Sequence, residues 1–127
     1  MNKFILPEDK NTPDIILDPE TSTFRFFGKS FPENSKKFYQ PVLAWVEEYS
    51  PPAGSVVEVS FYFFYLSSSS VIAVLEIIRR IANWRKNGAT IKISWNYDDD
   101  DEEIKRLGEE YMKIAELPFD FVPVPED

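Results

Sequence analysis

Apolar residues change their spacing several times along this chain, and the spacing predicts where strands and helices lie. A short apolar run at 14–18 and a second run ending at Gly28 flank the turn-forming segment Asp18–Ser22, which predicts a β-hairpin. Residues 90–95 and 117–124 have the short pattern of single strands. The chain is therefore expected to open with a hairpin and to add separate strands later.

Three segments have apolar residues at helical spacing. In the first, Asn34 or Ser35 suits the N-cap and Pro51-Pro52 ends the helix, while Pro41 predicts a kink or a late start near Phe38. The second, 68–86, is apolar nearly all round, which predicts deep packing. The apolar positions of the third helix are Ile104, Leu107, Tyr111 and Ala115.

The strongest strand pattern covers residues 55–66 and ends in the sequence FYFFYLSSSS at 61–70. Both of its faces are apolar, which predicts a central strand that is covered on both sides. The residues expected on one face are Val57, Val59, Phe61, Phe63 and Tyr65, and those on the other are Tyr62, Phe64 and Leu66.

The predicted order is β-β-α-β-α-β-α-β, without internal repeats or a linker. This order indicates one small α/β domain over residues 1–127, with a mixed, mostly parallel sheet flanked by helices. Ligands of such sheets bind beside the carboxyl ends of the strands. Function is therefore expected at three segments that follow strands: Gly28–Asn34, Leu66–Ser70 and Asn96–Asp101.

Composition narrows the chemistry. With 14 Lys and Arg against 22 Asp and Glu, the net charge is −8, which disfavours nucleic acid and anionic membranes as partners. The absence of cysteine and histidine excludes disulfides, thiolate chemistry, the Ser-His-Asp triad and His-bearing zinc sites. The sequence shows neither a signal peptide nor about 18 consecutive apolar residues. A cytoplasmic protein without cofactors is expected.

Four consecutive serines, Ser67–Ser70, follow the strongest strand. On base rates they are helix-capping residues, with Ser67 or Ser68 as the cap. A helix N-terminus also accommodates a phosphate group, so a capping serine can at the same time be a phosphoacceptor.

Residues 98–103, DDDDEE, lack the ligand spacing of a calcium loop and are interpreted as a charge cluster at a helix start. A receiver domain is disfavoured, because its strand would end in aspartate.

Several segments resemble the SiaC-like family of bacterial regulatory phosphoproteins, whose fold is similar to that of the STAS domain. They are DPETSTFRFFGKSFPENSKKFYQPVLAWVEEY, YLSSSSVIAVLEII, ISWNYDDDDEE and LPFDF, in the order of the chain. The family phosphoacceptor is the threonine of a Leu-Asn-Thr-Ser-Ser pattern. Leu66 matches its leucine and Ser68 its threonine, whereas Ser67 replaces the asparagine.

The resemblance implies a non-enzymatic partner switch that is phosphorylated by a dedicated Ser/Thr kinase and dephosphorylated by a PP2C-type phosphatase. The dephosphorylated form would bind a partner such as a diguanylate cyclase and so control cyclic-di-GMP and biofilm formation. Ser68 is the expected phosphoacceptor, with Ser67 and Ser69 as alternatives. The predicted partner-binding edge comprises Phe31, Pro32, Glu33, Asn34, Ser67, Ser69, Ser70, Asn96 and Tyr97.

Other functions stay open at this point. The chain could be a constitutive interaction scaffold, or a general protein of the anti-sigma-factor-antagonist type, in which the serines only cap a helix. A carboxylate-based hydrolase or metal enzyme built on Asp98–Asp101 lacks an identifiable base, nucleophile and orienting group. No catalytic residue and no metal ligand is therefore predicted. The sequence does not indicate the oligomeric state or the sign of the regulatory effect.

Overall fold

A computed structural model describes residues 1–126 of the chain. It contains six strands, three α-helices and one short 3-10 helix. In chain order they are β1 (Phe4–Leu6), β2 (Asp14–Asp18), β3 (Thr23–Ser30), α1 (Ser35–Glu48), β4 (Val56–Leu66), α2 (Ser68–Ala82), the 3-10 helix (Asn83–Asn87), β5 (Thr90–Asp98), α3 (Glu102–Ala115) and β6 (Phe119–Val124). Within the described residues, no helix has both the length and the apolar character needed to cross a membrane.

The strands form one sheet in the order β1-β2-β3-β4-β5-β6. Strands β1, β2 and β3 are antiparallel neighbours, whereas β3, β4, β5 and β6 are parallel neighbours. The predicted mixed, mostly parallel α/β architecture is therefore confirmed. The prediction lacked β1, whose three residues pair with residues 15–17 of β2.

The helices cover one face of this sheet, and the prediction that β4 is covered on both sides is wrong. Each parallel crossover leads to the next strand in the same direction, so right-handed connections place all three helices on the same face. On β4, Val57, Val59, Phe61 and Phe63 are buried under the helices, whereas the residues between them are exposed or half-buried. Within residues 1–126, no helix covers the opposite face of the sheet.

A β-bulge also changes the end of β4. The pairing of β3 with β4 advances from Gly28 opposite Phe63 to Lys29 opposite Tyr65, so β4 has one extra residue there. The alternation of buried and exposed residues is lost at this position. Tyr65, predicted to lie on the same face as Phe63, is consequently 53% exposed.

Two helices also differ from their predictions. Helix α1 begins at Ser35 with Asn34 as its cap and continues through Pro41, so the late start near Phe38 is wrong. Pro41 is exposed and, lacking an N–H, cannot donate the usual helical bond to the carbonyl four residues earlier. Helix α2 ends at Ala82, and it is buried on one side only, because Ile72 is 68% exposed.

Candidate functional site

The parallel strands bring the three predicted segments to one edge of the sheet. Ser30, the last residue of β3, pairs with Leu66, the last residue of β4. The carbonyl of Ser30 also accepts a hydrogen bond of 2.9 Å from the backbone N–H of Ser67. Strand β5 ends at the same edge with Asp98, because it too is parallel to β4.

The serine turn, defined here as Ser67–Ser70, joins β4 to α2. Ser67 is the N-cap, and its hydroxyl oxygen accepts a bond of 3.3 Å from the backbone N–H of Ser70. Ser68 is the first residue of α2; its side chain is exposed and forms no hydrogen bond with any residue in the described range 1–126. Ser69 is also exposed, whereas Ser70 is fully buried. The four serines therefore have different environments.

Hydroxyl groups from three elements form a hydrogen-bonded cluster behind this turn, which we call the hydroxyl network. It joins the serine turn to the end of β3 and the first turns of α1. The distances between hydroxyl oxygens are 2.7 Å for Ser30–Tyr39, 2.8 Å for Ser30–Ser70, 3.2 Å for Ser35–Ser70, 2.8 Å for Ser35–Ser69 and 2.9 Å for Ser67–Ser70. Burial raises the pKa of Tyr39 to about 12, with a smaller opposing effect of the Ser30 hydrogen bond, so the phenol stays neutral.

The segment before α1 lies beside the serine turn and exposes part of its surface. Phe31 is 38% exposed and packs edge-on against Tyr65, with 5.8 Å between the ring centroids. Glu33 and Asn34 are exposed and Pro32 is half-buried. The Asn34 side chain accepts a bond of 3.0 Å from the N–H of Lys37 and so caps α1.

An apolar groove of about 330 Å³ lies between α1 and α2 and begins at the serine turn. Ile72 lies one helical turn after Ser68, on the same side of α2. Its exposed side chain lines the groove. The other lining residues are Lys36, Tyr39, Leu43, Ser69, Ala73 and Glu76.

Five residues of the predicted partner-binding edge are not exposed: Pro32, Ser67 and Asn96 are half-buried, and Ser70 and Tyr97 are buried. Ser70 is fully buried in the hydroxyl network. Strand β5 is longer than predicted, so Asn96 and Tyr97 lie within it. The Asn96 amide donates bonds of 3.1 Å to the Ser60 hydroxyl and to the Phe61 carbonyl, and Tyr97 is only 7% exposed.

The acidic run begins α3, as predicted. Asp101 is the N-cap and accepts a bond of 3.0 Å from the N–H of Ile104, while Glu102 and Glu103 occupy the first turn. Asp98 accepts a hydrogen bond from the Tyr62 hydroxyl. Within residues 1–126, no group of three or more His, Cys, Asp or Glu residues has a geometry that could hold a metal ion. Asp101, Glu102 and Glu103 thus begin the helix, while Asp98 ends β5.

Comparison with known proteins relates this geometry to a family. The family model described as "SiaC family regulatory phosphoprotein" matches residues 6–124. The chain belongs to the SiaC family. The resemblance noted in the sequence is thereby confirmed over almost the whole length of the chain.

Relatives of this SiaC family member come from Pseudomonas aeruginosa. An uncharacterized protein of strain UCBPP-PA14 is 28% identical over 119 residues, which are 94% of each chain. The crystal structure of apo-SiaC is 26% identical, with a TM-score of 0.82 over 96% of this chain and 99% of that one. A second crystal structure contains the diguanylate cyclase SiaD in complex with its activator SiaC. It matches with 26% identity and a TM-score of 0.84 over 95% of this chain and 99% of that one.

Proposed function

We propose that this SiaC family protein is a non-enzymatic partner switch that is controlled by phosphorylation of Ser68. One observation carries the proposal: in a family of regulatory phosphoproteins, Ser68 has an exposed hydroxyl without a hydrogen-bond partner in residues 1–126. A kinase must bind the acceptor hydroxyl in the kinase active site. The Ser68 hydroxyl can bind there without first breaking a hydrogen bond within residues 1–126.

The start of α2 suits a phosphate group. A phosphoserine adds about −1.5 to −2 charges, which are stabilised near the N–H groups of a helix N-terminus. The first turn of α2 contains no acidic residue, in contrast to the Glu102 and Glu103 pair in α3. In this proposal a Ser/Thr kinase transfers phosphate from ATP to the serine, and a PP2C-type phosphatase hydrolyses the phosphoserine. Because the kinase needs ATP, we propose that the protein acts in the cytoplasm.

The surface around Ser68 suggests how the phosphate acts on a partner. Phe31, Tyr65 and Ile72 lie at the same edge and are between 38% and 68% exposed. A partner that covers these apolar side chains would also remove water from Ser68. Desolvation of an added phosphate is costly unless the partner supplies a matching cation. The unphosphorylated form is therefore the binding form.

A diguanylate cyclase is the class of partner that the relatives support. In the solved complex, SiaC of Pseudomonas aeruginosa is the activator of the diguanylate cyclase SiaD, and its chain has the fold of the present protein. Regulation of such an enzyme would control cyclic-di-GMP and biofilm formation. The protein would act by binding alone and without catalysis of its own.

Site-resolved mass spectrometry of the protein isolated from its native host tests this proposal. We expect phosphate on Ser68 in a fraction of the molecules that changes with growth conditions. A complete absence of phosphate from Ser67–Ser70 under all conditions would overturn the switch and favour a constitutive interaction scaffold. Phosphate on Ser67 or Ser69 alone would retain a switch but overturn Ser68 as its acceptor.

A further inference from the structure

The buried polar residues of this protein are concentrated at one place. Within residues 1–126 they are Ser30, Ser35 and Ser70, and all three belong to the hydroxyl network. A buried hydroxyl is destabilising unless it is hydrogen-bonded, and no buried side-chain nitrogen or oxygen in these residues lacks a partner. The sequence therefore maintains a fully bonded polar cluster directly behind the serine turn.

We propose that the hydroxyl network selects the phosphoacceptor, and that Ser35 on α1 is the residue that determines this specificity. This inference rests on the proposed function, since it explains why one of four adjacent serines is modified. Ser70 is inaccessible and Ser67 is engaged as the helix cap. Ser69, however, is exposed, as Ser68 is, so burial does not exclude Ser69.

Either hydroxyl can donate in each of the pairs that Ser30 and Ser35 form, and one pattern that bonds every group begins with Tyr39 as the donor. Among the described residues, the Tyr39 hydroxyl is hydrogen-bonded only to Ser30. If Tyr39 donates, its proton goes to the Ser30 oxygen. Ser30 then donates to Ser70, and Ser70 donates to Ser35, because Ser70 already accepts from Ser67. Each hydroxyl has one proton to donate. The chain of donors thus runs away from the protein core towards α1.

The chain of donors ends at Ser69. The Ser35 and Ser69 oxygens are 2.8 Å apart and form a hydrogen bond whichever hydroxyl donates, whereas the Ser67 hydroxyl is 3.4 Å from Ser69. Phosphoryl transfer requires the serine oxygen to form a bond to the γ-phosphorus of ATP while the bond to ADP breaks and a base of the kinase takes the hydroxyl proton. The Ser69 oxygen must first give up the Ser35 bond, and Ser68 has no such bond to break.

Alanine at position 35 tests this selection by releasing Ser69. We expect Ser35→Ala to raise the ratio of phosphate on Ser69 to phosphate on Ser68 by about fivefold or more, the factor that corresponds to one ordinary hydrogen bond. In Ser68→Ala alone, where the Ser35–Ser69 bond is intact, phosphate on Ser69 should stay low. In the double variant Ser68→Ala, Ser35→Ala, phosphate should appear on Ser69. All forms are produced in the native host and their phosphosites are quantified by mass spectrometry.

A second variant of the hydroxyl network distinguishes loss of the Ser35–Ser69 bond from a general destabilisation of the network. Tyr39→Phe removes the first donor but leaves the Ser35–Ser69 bond, so it should lower thermal stability without moving phosphate. If Ser35→Ala does not fold, Ser35→Cys keeps the shape of the side chain, with a slightly larger atom and only a weak donor, and it should also move phosphate.

Each outcome of these experiments is decisive. Phosphate confined to Ser68 in the folded Ser35 variants, or an equal shift in Tyr39→Phe, would overturn the selection while the switch stands. Unphosphorylated wild-type protein would overturn the proposed function, and the selection with it.

Discussion

Alanine substitution of Ser70 should destabilise the protein, whereas alanine substitution of Ser68, in the same turn, should leave its stability nearly unchanged. Ser70 is fully buried, and its hydroxyl bonds to Ser30, Ser67 and Ser35 at 2.8, 2.9 and 3.2 Å. Ser68, two positions earlier, is exposed and has no hydrogen-bond partner in residues 1–126. The same loss of one oxygen therefore disrupts the network at Ser70 and removes no contact at Ser68.

The size of the difference follows from what each substitution leaves behind. In Ser70→Ala, the buried Ser30 hydroxyl loses its hydrogen bond to Ser70. Loss of a partner by a buried hydroxyl reduces the free energy of unfolding by roughly 2 kcal/mol. For a chain of 127 residues this corresponds to a decrease in melting temperature of roughly 6 to 12 °C. In Ser68→Ala the expected change is within about 0.5 kcal/mol, or roughly 3 °C.

Thermal unfolding followed by circular dichroism, together with urea unfolding, measures both variants against the wild-type protein. Both must be free of phosphate, so they are produced in a host without the cognate kinase. Equal destabilisation by Ser68→Ala and Ser70→Ala would refute the assignment of one free and one network-bound hydroxyl. A Ser70→Ala variant as stable as the wild type would show that the network adds nothing to folding.

Two further predictions concern the open face and the partner surface. The hydrogen bond to Asp98 is the main cause of a Tyr62 pKa of about 12 in the folded protein. Because this pKa is higher than in the unfolded chain, the hydrogen bond stabilises the fold fully below about pH 10. The stabilisation is lost as the pH rises towards 12. Asp98→Asn should lower the pKa in an NMR titration of the Tyr62 ring, and an unchanged value would contradict the assignment. Ile72→Ser should weaken partner binding roughly tenfold without altering stability, whereas Ile114→Ser, at a 49% exposed position on α3, should leave affinity unchanged. Equal affinities of the two serine variants in calorimetry would place the partner elsewhere.

The spacing of apolar residues predicted a strand or helix wherever the segment was long enough to show a period. The alternation in β4 and the helical spacing in α2 identified both elements, but the three residues of β1 were too few to show a period. Apolar residues on both sides of β4 did not mean burial on both sides, because Tyr62 and Phe64 lie on the face that no helix covers. Strand order and crossover direction decide that coverage, and these are properties of the whole chain.

The candidate site could be located from the sequence but not resolved into its contacts. Strand ends and the serine run predicted that the three segments lie at one edge of the sheet, and the parallel strands place them there. The contacts that distinguish the four serines join residues about 35 to 40 positions apart, as in Ser35–Ser69 and Ser30–Ser70. One signal was available: Ser35 and Tyr39 have the spacing of one helical turn and place hydroxyls on the buried side of α1.

Phosphorylation control by Ser68 is tested most directly by comparing what binds to two variants. Ser68→Ala and Ser68→Asp, both checked for folding, are used side by side as affinity baits in extracts of the native host, and the bound proteins are quantified by mass spectrometry. We expect a protein partner, a diguanylate cyclase in the first instance, to be recovered with Ser68→Ala at tenfold or greater excess over Ser68→Asp, since tenfold corresponds to about 1.4 kcal/mol. Recovery of the same proteins in equal amounts with both variants would contradict the account.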